Sequence, residues 1–292
     1  MLYLEGAVRP EFRFLRRLLE RDHQIEPVCL IKVKTGVFRR LGESGDAHVK
    51  DFPRTREEME PFDVFILGDL DATHFADGQL VDLASEVKER GKGLVLLQGA
   101  ASYGAGGYGN TPLAELLPVR IASRSETVAT GEFRMSLTAD GASHAIFEGC
   151  VDYFSGQASN AIPPFQVMNV VDADTRAGYV VLAERRDFPS PGRSAPVVAV
   201  GRAGSGRTLA LTSGPTWQWA FDDSAGRGSG ATAYTRFWGQ SLRFIAGKDE
   251  DKAGPGATVR LDRGEAIYAQ GEAVTLYAQV RGASGELTTF AD

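Results

Sequence analysis

The stretch GLVLLQGAASYGAGGYGN, which runs from Gly93 to Asn110, decides the fold of this chain. An apolar run ends in a glycine-rich turn, a pattern that is typical of a buried strand in a parallel α/β sheet. Enzymes built on such sheets present a nucleophile on the turn at the carboxyl end of a strand. The turn GAASYG, residues 99–104, therefore raises the question of which residue occupies the nucleophile's place.

Three further apolar runs precede this stretch and predict more strands of the same sheet. They are LYLEG at 2–6, EPVCLIKV at 26–33 and FDVFILGDLD at 62–71. Amphipathic patterns at 9–22 and 77–91 predict helices between these runs. Unbroken apolar strands that alternate with helices predict an α/β fold with a mainly parallel central sheet covered on both faces. We expect residues 2–5, 28–33, 62–68 and 93–98 to pair in parallel.

The second half of the chain has more strand patterns than the first half. It ends in a polar linker and a short β segment. The pattern at 234–247, YTRFWGQSLRFIAG, predicts an amphipathic helix that closes a domain spanning residues 1–247. Residues 248–256, KDEDKAGPG, have the composition of a polar linker. The alternating apolar residues of 257–292 predict a short C-terminal β segment with too few strands for a sandwich. We interpret it as the truncated start of an immunoglobulin-like domain, and the chain as part of a longer protein.

The composition excludes several function classes. A net charge of −6 argues against nucleic acid as a partner, and the arginines near residues 13–21 have the spacing of a solvated helix face. Two cysteines far apart form neither a disulfide framework nor a zinc pattern. No apolar run is long enough for a membrane span, and the first residues do not have the pattern of a signal peptide. The sequence predicts no cofactor and no metal.

Four segments carry a family resemblance: residues 2–22, 63–75, 91–119 and 206–247. In this order they resemble the class I glutamine amidotransferase-like domains of large bacterial membrane proteins, which often occur beside von Willebrand factor A domains. The resemblance implies a flavodoxin-like, three-layer, class I amidotransferase-like fold over residues 1–247. It also implies a place in a larger envelope-associated protein, on the extracytoplasmic side of a bacterial membrane.

Catalytic members of that class use a Cys-His-Glu triad, and this chain departs from it at every position. The cysteine of their G-x-C-x-G turn is matched here by Ala100, Ala101 or Ser102. The residues that match the histidine and glutamate of their late strand lie in the segment LALTSGP, residues 209–215. The resemblance therefore implies a non-catalytic domain that acts as a binding or scaffolding module.

A hydrolase with Ser102 as its nucleophile is the alternative function. The segment AASYG, residues 100–104, resembles a G-x-S-x-G elbow with alanine in the first place. Such a serine needs a base within hydrogen-bond reach, and His74 and His144 are the candidates. The competing interpretation is that the Ser102 hydroxyl bonds only to the backbone of its own turn.

The carboxyl ends of parallel strands meet at one edge of a sheet, so the residues that follow the predicted strands define a pocket. The predicted pocket residues are Glu5, Arg9, Asp69, Asp71, Gln98, Ser102, Tyr103 and Trp217. Glu5, Asp69 and Ser102 are expected to lie within one pocket. Its carboxylates favour a neutral polar or cationic small ligand, whereas the alternative is that they cap helices. A protein partner also remains open.

Overall fold

A computed structural model describes residues 1–42, 49–121, 127–154, 162–221 and 233–247, together with the backbone of three short strands between 258 and 288. The predicted linker at 248–256 lies outside the described residues. Within the described ranges, no helix is long and apolar enough to cross a membrane.

The elements follow one another in an α/β order in the first half and in a β-rich order in the second. The strands are β1 (Leu2–Glu5), β2 (Val28–Lys34), β3 (Val37–Leu41), β4 (Val64–Leu67), β5 (Gly93–Leu97), β6 (Val119–Arg120), β7 (Val128–Phe133), β8 (Ser136–Leu137), β9 (Phe165–Asn169), β10 (Asp172–Ala173), β11 (Tyr179–Arg186), β12 (Ser194–Ala203), β13 (Gly206–Leu211), β14 (Ser213–Gly214), β15 (Thr258–Arg263), β16 (Leu276–Arg281) and β17 (Leu287–Thr288). The helices are α1 (Pro10–Arg21), α2 (Arg56–Met59), α3 (Gln79–Arg90), α4 (Ala139–Ser143), α5 (Val151–Phe154) and α6 (Ala233–Ile245), and short 3₁₀ turns include Ala72–His74 and Thr216–Phe221.

In the described part of the chain, the main sheet has nine strands in the order β3-β2-β1-β4-β5-β13-β12-β11-β8. Its centre, from β2 to β13, is parallel, which confirms the pairing predicted for the first four strands. Both sides of this centre are antiparallel, so the sheet as a whole is mixed rather than mainly parallel. The physical reason is that short connections, such as the one between β12 and β13, reverse the chain and can join only antiparallel neighbours.

The five parallel strands follow a flavodoxin-like order. Numbered along the chain among themselves, β2, β1, β4, β5 and β13 stand side by side as 2-1-3-4-5. The order reverses between β1 and β4, because the chain moves outward to β2 and then returns to the other side of β1. This reversal point is where a sheet of this kind leaves a crevice at its carboxyl edge.

Helices cover both faces of the sheet, as predicted, because successive strand residues point to opposite sides. The buried side chains accordingly form two clusters. One contains Tyr3, Ile66 and Val95 with Phe12, Leu15 and Leu19 of α1 and Phe237 and Trp238 of α6. The other contains Leu4, Phe65 and Leu96 with Leu83 and Val87 of α3. Glu5 follows Tyr3 by two residues in β1, so its side chain emerges on the face that α1 covers.

Strands β15, β16 and β17 form a separate antiparallel sheet. Among the strands that the structure describes, they pair only with one another. This agrees with the predicted C-terminal β segment, whereas its immunoglobulin-like character and the domain boundaries stay predictions.

Candidate functional site

The Glu5 carboxylate is the centre of the carboxyl edge. It is completely buried and accepts hydrogen bonds from Tyr3 Oη at 2.9 Å, Gly6 N at 3.1 Å, Arg9 Nε at 3.2 Å and Asp69 N at 2.7 Å. These donors belong to β1, to the turn before α1 and to the end of β4. Burial raises the pKa of Glu5, and the Arg9 guanidinium opposes that shift. One carboxylate therefore joins three segments of the chain.

Two glycines make this close approach of strand ends possible. A Cβ on Gly68 would lie 2.4 Å from Glu5 Oε2, and a Cβ on Gly99 would lie 2.4 Å from Asp69 Oδ1. Both distances are too short for any side chain, so only glycine fits between these strand ends and the carboxylates.

Arg9 links the Glu5 carboxylate to the end of β5. Its Nη1 donates to the Gln98 carbonyl oxygen at 2.6 Å, while its Nε bonds to Glu5. Its Nη2 is buried and has no hydrogen-bond partner among the described residues. The Arg9 side chain is 19% exposed, and Asp69 and Gln98 are also partly exposed. These three side chains are the polar groups that the edge offers to a ligand.

The turn at 99–104 has its polar groups bonded within the protein. The Ser102 side chain is fully buried, and its hydroxyl donates to the Gly68 carbonyl oxygen at 3.1 Å. Ala101 N donates to Asp69 Oδ1 at 2.6 Å. The Asn169 side chain accepts from Gly99 N at 3.1 Å and donates to the carbonyl oxygen of the same residue at 2.9 Å. The Gly99 and Ala101 amides of this turn are thus already bonded to side chains and are not free to stabilise an oxyanion.

The Tyr103 side chain lies in the core beneath the turn at 99–104 and does not line a pocket. It is fully buried, and its hydroxyl donates to the Leu96 carbonyl oxygen at 2.8 Å. Its φ of +52° is the left-handed conformation that non-glycine residues adopt rarely. The tight turn therefore places a strained residue beside Ser102 without exposing either of their side chains.

Neither candidate base, His74 or His144, hydrogen-bonds to the Ser102 hydroxyl. His74 Nε2 lies 3.0 Å from Lys32 Nζ, and burial, followed by the Lys32 charge, lowers the pKa of His74. His144 Nδ1 accepts from Ile146 N at 3.2 Å. In the described part of the chain, no histidine hydrogen-bonds to the Ser102 hydroxyl.

Asp71 and Trp217 lie outside the group around Glu5. Asp71 Oδ1 accepts from Thr73 N at 2.8 Å, which is the capping role that the sequence left open. The Trp217 ring packs 5.6 Å from the Phe14 ring and 5.7 Å from the Phe221 ring, on the side of α1. The structure thus brings together Glu5, Arg9, Asp69, Gln98 and Ser102 from the predicted pocket, with Tyr103 beneath them.

The late strand also uses its hydroxyls for structure. Thr212 Oγ1 donates to the Pro196 carbonyl oxygen at 2.6 Å, and Ser213 Oγ donates to the Val167 carbonyl oxygen at 2.7 Å. Both residues are completely buried. The positions that correspond to a histidine and glutamate pair therefore anchor neighbouring strands.

Sequence analysis did not identify two residues that hold this region together, Asn169 and Glu11. Asn169 holds the turn from 70 residues away, and Glu11 in α1 accepts from Thr216 N at 2.8 Å and from the Thr216 hydroxyl. Burial raises the pKa of Glu11. A polar residue at the end of an apolar strand was the only signal for Asn169, and Glu11 has the pattern of an ordinary first-turn helix residue. Within the described residues, no group of three or more His, Cys, Asp or Glu side chains is placed to hold a metal ion.

The strand order of the main sheet and the polar groups at its carboxyl edge are those of an α/β protein with a broadly flavodoxin-like sheet. No family model and no curated protein matches the chain. Solved structures do match: the cytoplasmic protein STM3548 of Salmonella typhimurium is 18% identical with a TM-score of 0.61, over 84% of this chain and 98% of that chain. The cytoplasmic protein STM1381 of Salmonella typhimurium LT2 is 19% identical, with the same TM-score and coverage. A protein of Parabacteroides merdae described as ThuA-like is 12% identical over 84% of this chain and 88% of that chain, with a TM-score of 0.49.

These matches correct the family resemblance predicted from the sequence. The resemblance to amidotransferase-like domains of bacterial membrane proteins is wrong, because no such family model matches and the structures matched at a TM-score of 0.61 are the two Salmonella cytoplasmic proteins. The segments that suggested it are the strands and turns of the parallel centre, which unrelated families on one fold can share. The expectation of an envelope-associated parent protein therefore loses its basis. At 18 to 19% identity, the Salmonella structures show the fold alone.

The Glu5–Arg9 pair generates a pH-dependent prediction. Replacing Arg9 by methionine leaves the Glu5 carboxylate buried without its counter-charge, which raises the Glu5 pKa further. Below the pKa of an unfolded glutamate, Glu5 is protonated in both states and the penalty is absent. The free-energy penalty of leaving Glu5 without its counter-charge grows as pH rises through the pKa that Glu5 has in the folded protein. We expect Arg9→Met to lower the free energy of unfolding by about 3 kcal/mol at pH 8 and by clearly less at pH 5.

Urea unfolding at the two pH values measures this difference. Arg16→Met is the matched control, because Arg16 lies on the same helix in an exposed pair with Glu20. Its effect should stay below about 0.5 kcal/mol at both pH values. An Arg9→Met effect that does not depend on pH would contradict a buried, ionised Glu5.

Proposed function

We propose that this chain is a non-catalytic binding module that holds a small polar ligand at its carboxyl edge, above β1 and β4. The location rests on topology, because ligands of flavodoxin-like sheets bind where the strand order reverses. In this chain the order reverses between β1 and β4; Glu5 is the last residue of β1, and Asp69 lies just beyond the end of β4.

The burial of Ser102 is the observation that carries the non-catalytic part of the proposal. A serine nucleophile needs an exposed oxygen, a base in contact with it and free donors for the oxyanion. Ser102 is 0% exposed and donates to a backbone carbonyl, while Asp69 occupies the amide of Ala101. The Ser102 hydroxyl and the Ala101 amide are thus both used to hold the turn.

The exposed chemistry of the edge favours a neutral polar or cationic ligand. Arg9 Nη2 is buried without a hydrogen-bond partner among the described residues, so its N–H donors would bond to a ligand that reaches into the edge. The partly exposed Gln98 side chain offers an amide. Asp69 is partly exposed and brings a negative charge, whereas the charges of Glu5 and Arg9 compensate each other. An anion would face the Asp69 carboxylate, and the repulsion between like charges disfavours it.

The first prediction of this proposal concerns reactivity. We expect no labelling of the purified chain by a fluorophosphonate probe and no ammonia release from glutamine, because the Ser102 hydroxyl is buried and no histidine of the described residues bonds to it. The Ser102→Cys variant should also release no ammonia from glutamine. Ser102→Ala should only lower stability, by about 1 kcal/mol, through loss of the hydrogen bond to Gly68.

Ser213→Ala is the matched control, since Ser213 is another fully buried serine that donates to a backbone carbonyl. Labelling or glutamine turnover that disappears in Ser102→Ala and persists in Ser213→Ala would overturn the non-catalytic proposal in favour of a serine hydrolase.

The second prediction concerns the ligand. Thermal unfolding is measured with erythritol, putrescine and malonate at equal concentration, as neutral, cationic and anionic probes. A ligand that binds the folded state raises the Tm, so erythritol or putrescine should raise it and malonate should not. Asp69→Asn keeps an acceptor for Ala101 N but removes the charge, and should abolish the discrimination against malonate.

Asp77→Asn is the matched control, because Asp77 is an exposed aspartate before α3. It should leave all three shifts unchanged. Stabilisation by malonate of the unaltered chain, or an equal response in Asp69→Asn, would contradict a ligand seat beside Asp69.

A further inference from the structure

A groove of about 700 Å³ lies between α1 and α6, away from the carboxyl edge. One wall is the stripe Phe14, Arg17, Leu18 and Arg21 of α1. These positions are spaced i, i+3, i+4 and i+7, so they share one face of the helix. On α6 the groove is lined by Gly239, whose missing side chain leaves room between the helices.

The apolar residues of the α1 wall lie beside a group of aromatic rings. Phe14 and Leu18 are half-buried and pack against the core cluster below α1. The Phe14 ring lies 5.6 Å from the Trp217 ring and 5.3 Å from the Phe221 ring. Phe221 is 63% exposed, which is unusual for so large an apolar side chain. Phe14 therefore belongs both to the groove wall and to this aromatic group.

Two arginines of the α1 wall have no counter-charge among the described residues. Arg17 and Arg21 are exposed, and in the described part of the chain neither forms an ion pair. Other arginines nearby are paired: Arg16 Nη1 lies 3.2 Å from Glu20, and Arg243 Nη2 lies 3.0 Å from Asp22. Although the full sequence has a net charge of −6, these two guanidinium groups next to Phe14 and Leu18 have no ion-pair partner among the described residues.

We infer that the α1–α6 groove binds a small amphipathic organic anion, with a flat apolar body against Phe14 and Leu18 and one carboxylate or sulfonate at Arg17 and Arg21. Guanidinium groups bind such anions through paired N–H donors. A volume of about 700 Å³ falls within the range of small-molecule sites. Its concave shape fits a single molecule better than the flat surface of a bilayer. This site is separate from the proposed seat at Glu5 and Asp69 and does not depend on it.

The test uses two dyes that differ in one group. 8-Anilinonaphthalene-1-sulfonate carries the anion, and N-phenyl-1-naphthylamine is the same ring system without it. We expect saturable, one-to-one binding of the sulfonate, detected by dye fluorescence and by quenching of Trp217. The neutral dye should bind at least about tenfold more weakly, and salt should weaken only the sulfonate. Equal affinity for the two dyes, or no saturable binding, would overturn the inference.

Variants then locate the site on the folded chain. Arg17→Gln with Arg21→Gln should raise the dissociation constant of the sulfonate dye about tenfold and remove its advantage over the neutral dye. Gly239→Met fills the groove and should abolish binding without lowering the Tm, because its Cβ meets only the flexible end of Arg243, at 3.0 Å. Arg16→Gln is the control on the same helix and should bind normally.

Two results would count against the site. Sulfonate binding that survives both Gly239→Met and the double arginine variant would place the dye elsewhere. Cosedimentation of the chain with phosphatidylglycerol vesicles that is lost in the double arginine variant, together with no saturable dye binding, would assign the arginines to a membrane surface instead.

Discussion

A carboxylate buried at the end of the first strand is the constraint on which the carboxyl edge depends. Taking Glu5 out of water is unfavourable unless donors replace the water, and the chain supplies four of them. To reach Glu5, the start of α1 must bring in Arg9, and β4 must end so that the amide of Asp69 points inward. Gly68 and Gly99 leave the space that this convergence needs. The position of each strand end is therefore coupled to one ionised side chain.

The same constraint accounts for a turn that has the shape of a nucleophile elbow without its chemistry. The Asp69 amide donates a hydrogen bond to Glu5, and this places the Asp69 carboxylate against the turn. There it accepts a hydrogen bond from Ala101 N. Ser102 then closes the opposite side through Gly68. The tight connection after β5 is kept because the packing of strand ends requires it. Fold and function separate here: the geometry is that of an elbow, and its polar groups serve stability.

Much of this edge was predictable from sequence because its signals are local. Unbroken apolar runs identified β1, β2, β4 and β5, and the residues at or shortly beyond their carboxyl ends gave Glu5, Asp69 and Ser102 as neighbours. Partners from distant segments gave no such signal: Asn169 reaches Gly99 across 70 residues, and Glu11 reaches Thr216 across 205. The antiparallel flanks of the sheet, likewise, arise from hairpin pairing in the second half. The predicted family was wrong because strand and turn patterns report a fold that many families share.

Amide hydrogen exchange at Asp69 tests the central claim most directly. This amide lies just beyond the end of β4, where an ordinary loop amide exchanges quickly, yet it donates to the buried Glu5 carboxylate at 2.7 Å. The account predicts that it exchanges as slowly as amides within β4, such as that of Ile66, and that Glu5→Gln accelerates Asp69 far more than Ile66. Exchange of the Asp69 amide at the rate of an unprotected loop would contradict the claim that Glu5 holds the carboxyl edge together.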